Sequence, residues 1–191
     1  MSAGAEFSSP RSSPAGFSPE ERAFLLTVAR RAIQARLEER DYDPEPLTPR
    51  LGEPRAVFTT LRINGALRGC VGHVVAAEPL ARAVASTAVS AAFADPRFPP
   101  VSREEFLALQ VHLSVLSPLM PAEAHQIELG KHGLLVMQGR SRGLLLPEVP
   151  LDLKWDLPTF LAQTCLKAGL PPDAWQRGAQ LFVFTTESFG E

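Results

Sequence analysis

Residues 57–71 read VFTTLRINGALRGCV, and the Asn64-Gly65 pair at their centre constrains the fold more than any other feature of the chain. Asn-Gly after an alternating, β-branched run over Val57 to Ile63, with Ala66 to Val71 returning, fits a two-residue turn with positive φ at both positions, whose twist matches the strands it joins. These residues are therefore read as a β-hairpin, and the sheet containing it as at least partly antiparallel. Continuous pairing from that turn sets Ile63 opposite Ala66, Leu61 opposite Arg68 and Thr59 opposite Cys70. Alternation places Arg68 and Cys70 on one face. A guanidinium beside a thiol favours the thiolate, the nucleophilic form. Gly69 and Gly72, without side chains, would admit a ligand or another backbone beside the sulfur, although a bulge at either glycine would shift the register.

The elements around the hairpin follow from capping and periodicity. Ser18-Pro19-Glu20-Glu21 is a capping box with proline at the first helical position, and Leu25, Val28, Ala29, Ala32 and Ile33 form one apolar stripe on a helix ending near Arg40. A proline-rich segment then leads to the hairpin. Residues 78–94 are alanine-rich and predict a helix that packs closely on a sheet, followed by Asp95-Pro96-Arg97-Phe98-Pro99-Pro100, a stiff loop presenting two charges. Ser102 and Glu105 make a second capping box before an alternating strand over 111–116. His132-Gly133 opens a second hairpin, which turns over 139–142. Asp156 caps a helix carrying Leu157, Phe160, Leu161, Thr164, Cys165 and Ala168 on one stripe, Gly169 ends it, and one last strand covers 180–186. This order predicts an α+β fold with a mostly antiparallel sheet flanked by helices.

Composition narrows the function classes. With 19 Lys and Arg against 21 Asp and Glu, the net charge of -2 gives no general attraction to nucleic acid. No run is long and apolar enough to span a membrane and no leader pattern is visible, so the expected location is cytoplasmic. Two cysteines are too few for a disulfide framework, and no spacing calls for a cofactor or a metal. Residues 1–17, MSAGAEFSSPRSSPAGF, have little to bury and read as a disordered tail, leaving 18–191 as one domain.

Candidate site residues are weighed against plainer roles. Cys70 is read as a nucleophile, Arg68 as the group that stabilises charge and His132, or else His73, as the base; the alternatives are a small buried thiol, a structural pair of Arg68 with Asp95 or a carbonyl, and a turn histidine bonding the backbone. Candidate ligand-binding residues are Gly69, Gly72, Asp95, Arg97 and Glu148, with Asp95 and Arg97 equally readable as a salt-bridged loop. Cys165 belongs to the core, His112 and His125 face solvent, and Gly139 to Gly143 form a basic turn.

Together, LRGCVG with its hairpin, AAFADPRFPPVSREEF, SVLSP, KHGLLV, LLLPEV and KAGLP followed by Trp resemble the AMMECR-type domain, known in bacteria and archaea as protein A of the AmmeMemoRadiSam system. The resemblance runs from about Phe17 to Phe189. It implies two unequal subdomains sharing a cleft near the LRGC strand, and association with a Memo-type protein and a radical SAM protein. Val71, His73 and Glu148 depart from residues common in the family, the last standing where many microbial members have Gln. Three functions follow as expectations. The first is a thiol-dependent enzyme acting on a metabolite or protein in that pathway. The second is a noncatalytic module that presents the cleft to a small anionic ligand or a partner protein. The third is a nucleic-acid-associated module using the basic turn, which net charge disfavours.

Overall fold

The computed structural model describes residues 16–191. Of the tail read over 1–17, residues 1–15 lie outside that range, and Phe17 belongs to the fold. Its ring is buried edge-on to Phe189, 6.3 Å between centroids, and its N–H donates to the Glu187 carboxylate at 2.8 Å. One aromatic ring buries enough apolar surface to offset the ordering of the residue that carries it.

Helix α1, Pro19–Leu37, begins at the Ser18 capping box. The hairpin forms strands β1, Val57–Ile63, and β2, Ala66–Gly72, and α2 spans Leu80–Phe93. After α3, Arg103–Ala108, which opens on the Ser102 and Glu105 capping box, comes β3, Leu109–Leu116. The chain continues through β4, Met120–Pro121, and the hairpin β5, Gly133–Gln138, with β6, Ser141–Leu145. A short α4, Val149–Asp152, precedes α5, Leu157–Lys167, capped by Asp156. The final strand expected over 180–186 is two strands, β7, Gln180–Phe184, and β8, Thr186–Gly190.

The fold is α+β, with two antiparallel four-stranded sheets ordered β2-β1-β3-β8 and β4-β7-β5-β6. Each sheet organises a lobe. In the first, α1 and α2 bury Leu25, Ile33, Leu80 and Val84 against Leu61 and Leu113. In the second, Phe160, Leu161 and Cys165 of α5 pack on Leu134, Val136, Leu181 and Val183. The opposite face of the second sheet is also covered, because Leu135, Leu144 and Phe184 meet Ala56 and Leu116 of the first lobe. Two-sided burial explains why β5 reads as a continuous apolar run, LLVMQ.

The chain crosses between lobes at Ser117-Pro118 and again at Thr185. The crossings are tied together: Ser117 N–H donates to the Thr185 carbonyl at 2.9 Å, and Thr185 N–H donates to Ser117 Oγ at 3.0 Å. Thr185 thus ends one ladder and starts another, which an uninterrupted alternation of apolar residues does not reveal.

The first hairpin departs from continuous pairing. Ile63 faces Ala66 and Arg62 faces Leu67, but Leu61 then faces Gly69 and Thr60 faces Cys70, with Arg68 the extra residue of a bulge. Cys70 therefore opposes Thr60, not Thr59. A one-residue shift moves side chains to the other face of a sheet. Thr59 is buried toward α2, its Oγ1 2.8 Å from Thr87 Oγ1, so Thr60 and Cys70 lie on the face away from the helices.

Candidate functional site

Cys70 is half-buried, and its peptide is held at both ends by the loop after α2. Its N–H donates to Asp95 Oδ2 at 2.9 Å, and its carbonyl accepts from Arg97 Nη2 at 3.3 Å. Asp95 and Arg97 are themselves paired, Nη2 to Oδ2 at 2.6 Å and Nε to Oδ1 at 2.9 Å. The prolines on either side of Arg97 stiffen this loop, so the clamp is held with little freedom to lose. The Arg97 guanidinium and the Cys70 N–H, together with the Arg97 N–H, hold the buried Asp95 carboxyl far below the usual carboxylate range. At the sulfur itself, Thr60 Oγ1 donates to Sγ at 3.3 Å.

Arg68 pairs with Glu105 rather than Asp95, and it also bonds a carbonyl. Nε and Nη2 form a bidentate pair with Glu105, at 2.8 and 2.9 Å, and Nη2 also donates to the Pro99 carbonyl at 2.9 Å. The bulge lifts Arg68 out of the strand ladder and frees its side chain for this role. Arg68 and the Ser102 N–H push the Glu105 carboxyl down to about 2. Phe98 lies beneath both arginines, 5.8 Å from the Arg68 guanidinium and 5.5 Å from that of Arg97. The cation bonded to the Cys70 peptide is Arg97, whose charged form is favoured first by Asp95. Arg68 serves the structural pair.

His132 closes a turn. Its Nδ1 accepts from Glu128 N–H at 3.1 Å and its own N–H donates to the Glu128 carbonyl at 2.9 Å. No hydrogen bond joins it to Cys70 among the described residues, so the arrangement does not supply it as a base. His73 is exposed, its N–H donating to the Val57 carbonyl. His112 belongs to the same cross-strand row as Thr60 and Cys70, but its ring leans away over Gly190, where an added Cβ would sit 2.1 Å from Nδ1.

The glycines beside Cys70 make room for the protein itself. A Cβ at Gly69 would lie 2.1 Å from the Ala91 carbonyl oxygen of α2, and one at Gly72 would lie 2.2 Å from the Phe58 ring. Gly69 is thus a contact between strand and helix backbones, not ligand space. Gly72 does border a cleft of about 370 Å³ between the lobes, together with Phe58 and Val74 on one side and Leu135, Arg142, Leu144, Leu146, Val149 and Lys167 on the other. Glu148, the residue immediately before α4, is exposed and its side chain lies outside this lining.

Sequence reading missed Thr60 as the partner of the thiol, Arg97 as the cation bonded to the Cys70 carbonyl and Lys167 altogether, and it placed Arg142 in a turn. Alternation of Arg142, Leu144 and Leu146 against Gly143 and Leu145 was the available signal for β6. Among the described residues no helix is long and apolar enough to cross a membrane. Cys165 is fully buried in the second lobe, and burial pushes its thiol pKa up.

An α+β chain of two lobes, each built on a four-stranded antiparallel sheet and meeting at a cleft beside an Arg-Gly-Cys strand, is the class this architecture defines. The chain belongs to the AMMECR1 family, whose profile matches residues 26–189. It is 44% identical over 178 residues to Mbar_A1807 of Methanosarcina barkeri, covering 87% of this chain and 88% of that protein. It is 41% identical over 184 residues to MK0488 of Methanopyrus kandleri, covering 90% and 89%. The crystal structure of the uncharacterized protein PH0010 from Pyrococcus horikoshii matches with a TM-score of 0.80 at 41% identity, over 90% of this chain and 92% of that one.

Proposed function

We propose that the protein acts through Cys70 as a thiolate nucleophile toward an electrophilic carbon or sulfur of a small molecule or a protein side chain. The observation that carries this reading is the hydrogen bond from Thr60 Oγ1 to Sγ, made on a sulfur whose peptide is clamped at both ends by Asp95 and Arg97. A hydroxyl donor and a neighbouring guanidinium both favour the thiolate over the thiol. In the reaction, Sγ bonds to the electrophilic atom, the leaving group departs with its electron pair, and the thiol proton has already passed to solvent. No histidine is required as base: the charge-stabilising role first given to Arg68 passes to Arg97 and Thr60, and the base role given to His132 falls away. A Memo-type protein and a radical SAM protein, which the family resemblance implies as associates, are sources of an activated substrate in this reading.

The test is iodoacetamide alkylation of the native chain at neutral pH, followed by mass spectrometry with Cys165 as the buried internal control. The reading expects Cys70 to alkylate in the folded chain while Cys165 does not. Thr60→Val and Arg97→Gln should each slow that alkylation. Alkylation of Cys70 only on unfolding, alongside Cys165, would overturn the thiol reading and leave a binding module.

A further inference from the structure

The cleft between the lobes has apolar walls and a cationic rim. Phe58 and Val74 of the first lobe face Leu144 and Leu146 of the second, and Arg142 and Lys167 complete the lining. Both cations are brought there by the fold. Residues 142, 144 and 146 share one side of β6, whereas Leu145 packs toward α5 and Gly143 approaches it. That approach is close: a Cβ at Gly143 would lie 2.4 Å from Ala168 N and 2.5 Å from the Thr164 carbonyl. The last turn of α5 is therefore pressed against β6, which carries Lys167, next to Ala168, to the rim that Arg142 occupies.

Neither cation is neutralised by a described residue. Arg22, Arg30, Arg68, Arg82 and Arg97 each pair with a carboxylate. Arg142 and Lys167 form no ion pair or side-chain hydrogen bond with any described residue. Two like charges on one cleft repel, and an anion placed between them relieves that repulsion while gaining charge-assisted hydrogen bonds. A bare inorganic anion would leave the apolar walls unused.

We propose that this cleft binds a small organic anion with an apolar body, its carboxylate or phosphate held by Arg142 and Lys167 and its hydrocarbon or aromatic part seated on Phe58, Val74, Leu144 and Leu146. The volume of about 370 Å³ falls in the range of small-molecule sites. Binding does not depend on the thiol. Cys70 lies two residues before Gly72, on the same strand and the same face, so a bound anion would sit close to it, yet the cleft's recognition chemistry stands without any reaction there.

The experiment is an NMR titration of the isotopically labelled full chain at low salt with 2-naphthoate, 2-naphthyl phosphate, the neutral 2-naphthamide and inorganic phosphate. The two organic anions should give saturable shifts at the amides of Val74, Leu144 and Leu146, and the tighter of them identifies the head group. The neutral amide, and the anions on the R142Q/K167Q double variant, should bind about tenfold more weakly or worse. Both substituted side chains are exposed, so the variant should keep the native spectrum elsewhere. Equal affinity for the amide, unchanged binding by the variant, inorganic phosphate binding as tightly as the organic anions, or no saturable shift at the cleft would each overturn the proposal. Cys70→Ala should bind the anions as the parent chain does, so a parent chain whose Cys70 resists alkylation overturns only the thiol reading.

Discussion

Replacing Gly69 by alanine tests the reading of the Arg-Gly-Cys strand most directly. The added Cβ would lie 2.1 Å from the Ala91 carbonyl oxygen and 3.0 Å from its carbon, so the obstacle is helix backbone that no rotamer change can move. Relief requires roughly 1 Å of separation between β2 and α2, or a change in the bulge that sets Cys70 opposite Thr60. The separation would loosen Val84, Ala88 and Ala91, all buried in the first lobe's core. Overpacking of this kind costs about 3 kcal/mol where the neighbour cannot yield. For a domain of this size that corresponds to a drop of roughly 6–12 °C in Tm. Thermal and urea unfolding followed by circular dichroism measure it, with Gly139→Ala as a comparison in which the added carbon meets nothing within 4 Å and only the positive φ is strained. A Gly69→Ala chain as stable as the parent would refute the assignment of Gly69 to strand-helix contact and would reopen that space to a ligand.

Other consequences can be checked alongside. Glu105 ionises at about 2 in the fold against an ordinary 4.5, so its contribution to stability is complete above about pH 4.5 and is lost as pH falls toward 2. Asp95, lowered further, should hold to more acid conditions. The urea midpoint should thus decline between those pH values, and Glu105→Gln should flatten that decline; an unchanged slope would mean that another carboxylate governs it. Arg68→Ala removes the bidentate pair and the Pro99 contact and should cost about 2 kcal/mol, with lysine a poor replacement because it cannot form the fork. The same variant should leave the rate of Cys70 alkylation in place, and a slower rate would contradict Arg97 as the relevant cation. Ser117→Ala removes the acceptor for Thr185 N–H at the lobe crossing; a loss of about 0.5–1 kcal/mol and faster hydrogen exchange at Thr185 are expected.

Much of the local structure was legible in the chain because its causes are local. The Ser18 and Ser102 capping boxes, the Asp156 cap, the left-handed Gly169 and the Asn64-Gly65 turn all appear where short-range hydrogen bonding and backbone sterics place them. The candidate site was legible only in part. Cys70, Asp95 and Arg97 come together as a group, and the stiff loop read from its prolines proves to be the clamp on the cysteine peptide. Glu105 was recognised for its cap, but its bond to Arg68 spans 37 residues of sequence and leaves no periodic trace. Register was the decisive loss. Continuous pairing from the turn mispaired Cys70 because the bulge at Arg68 accommodates α2, an element outside the hairpin.

What the sequence alone determined is the principal helices, the two hairpins, their antiparallel character and the α+β class, since each depends on residues within a few positions of one another. Tertiary structure decided that Gln180 to Gly190 serves two sheets, that Thr60 rather than Thr59 meets the thiol, and that Arg142 and Lys167 share a cleft. Those outcomes depend on which backbone can approach which. That is set by missing side chains at Gly69, Gly72 and Gly143, whose meaning appears only when the opposing element is in place.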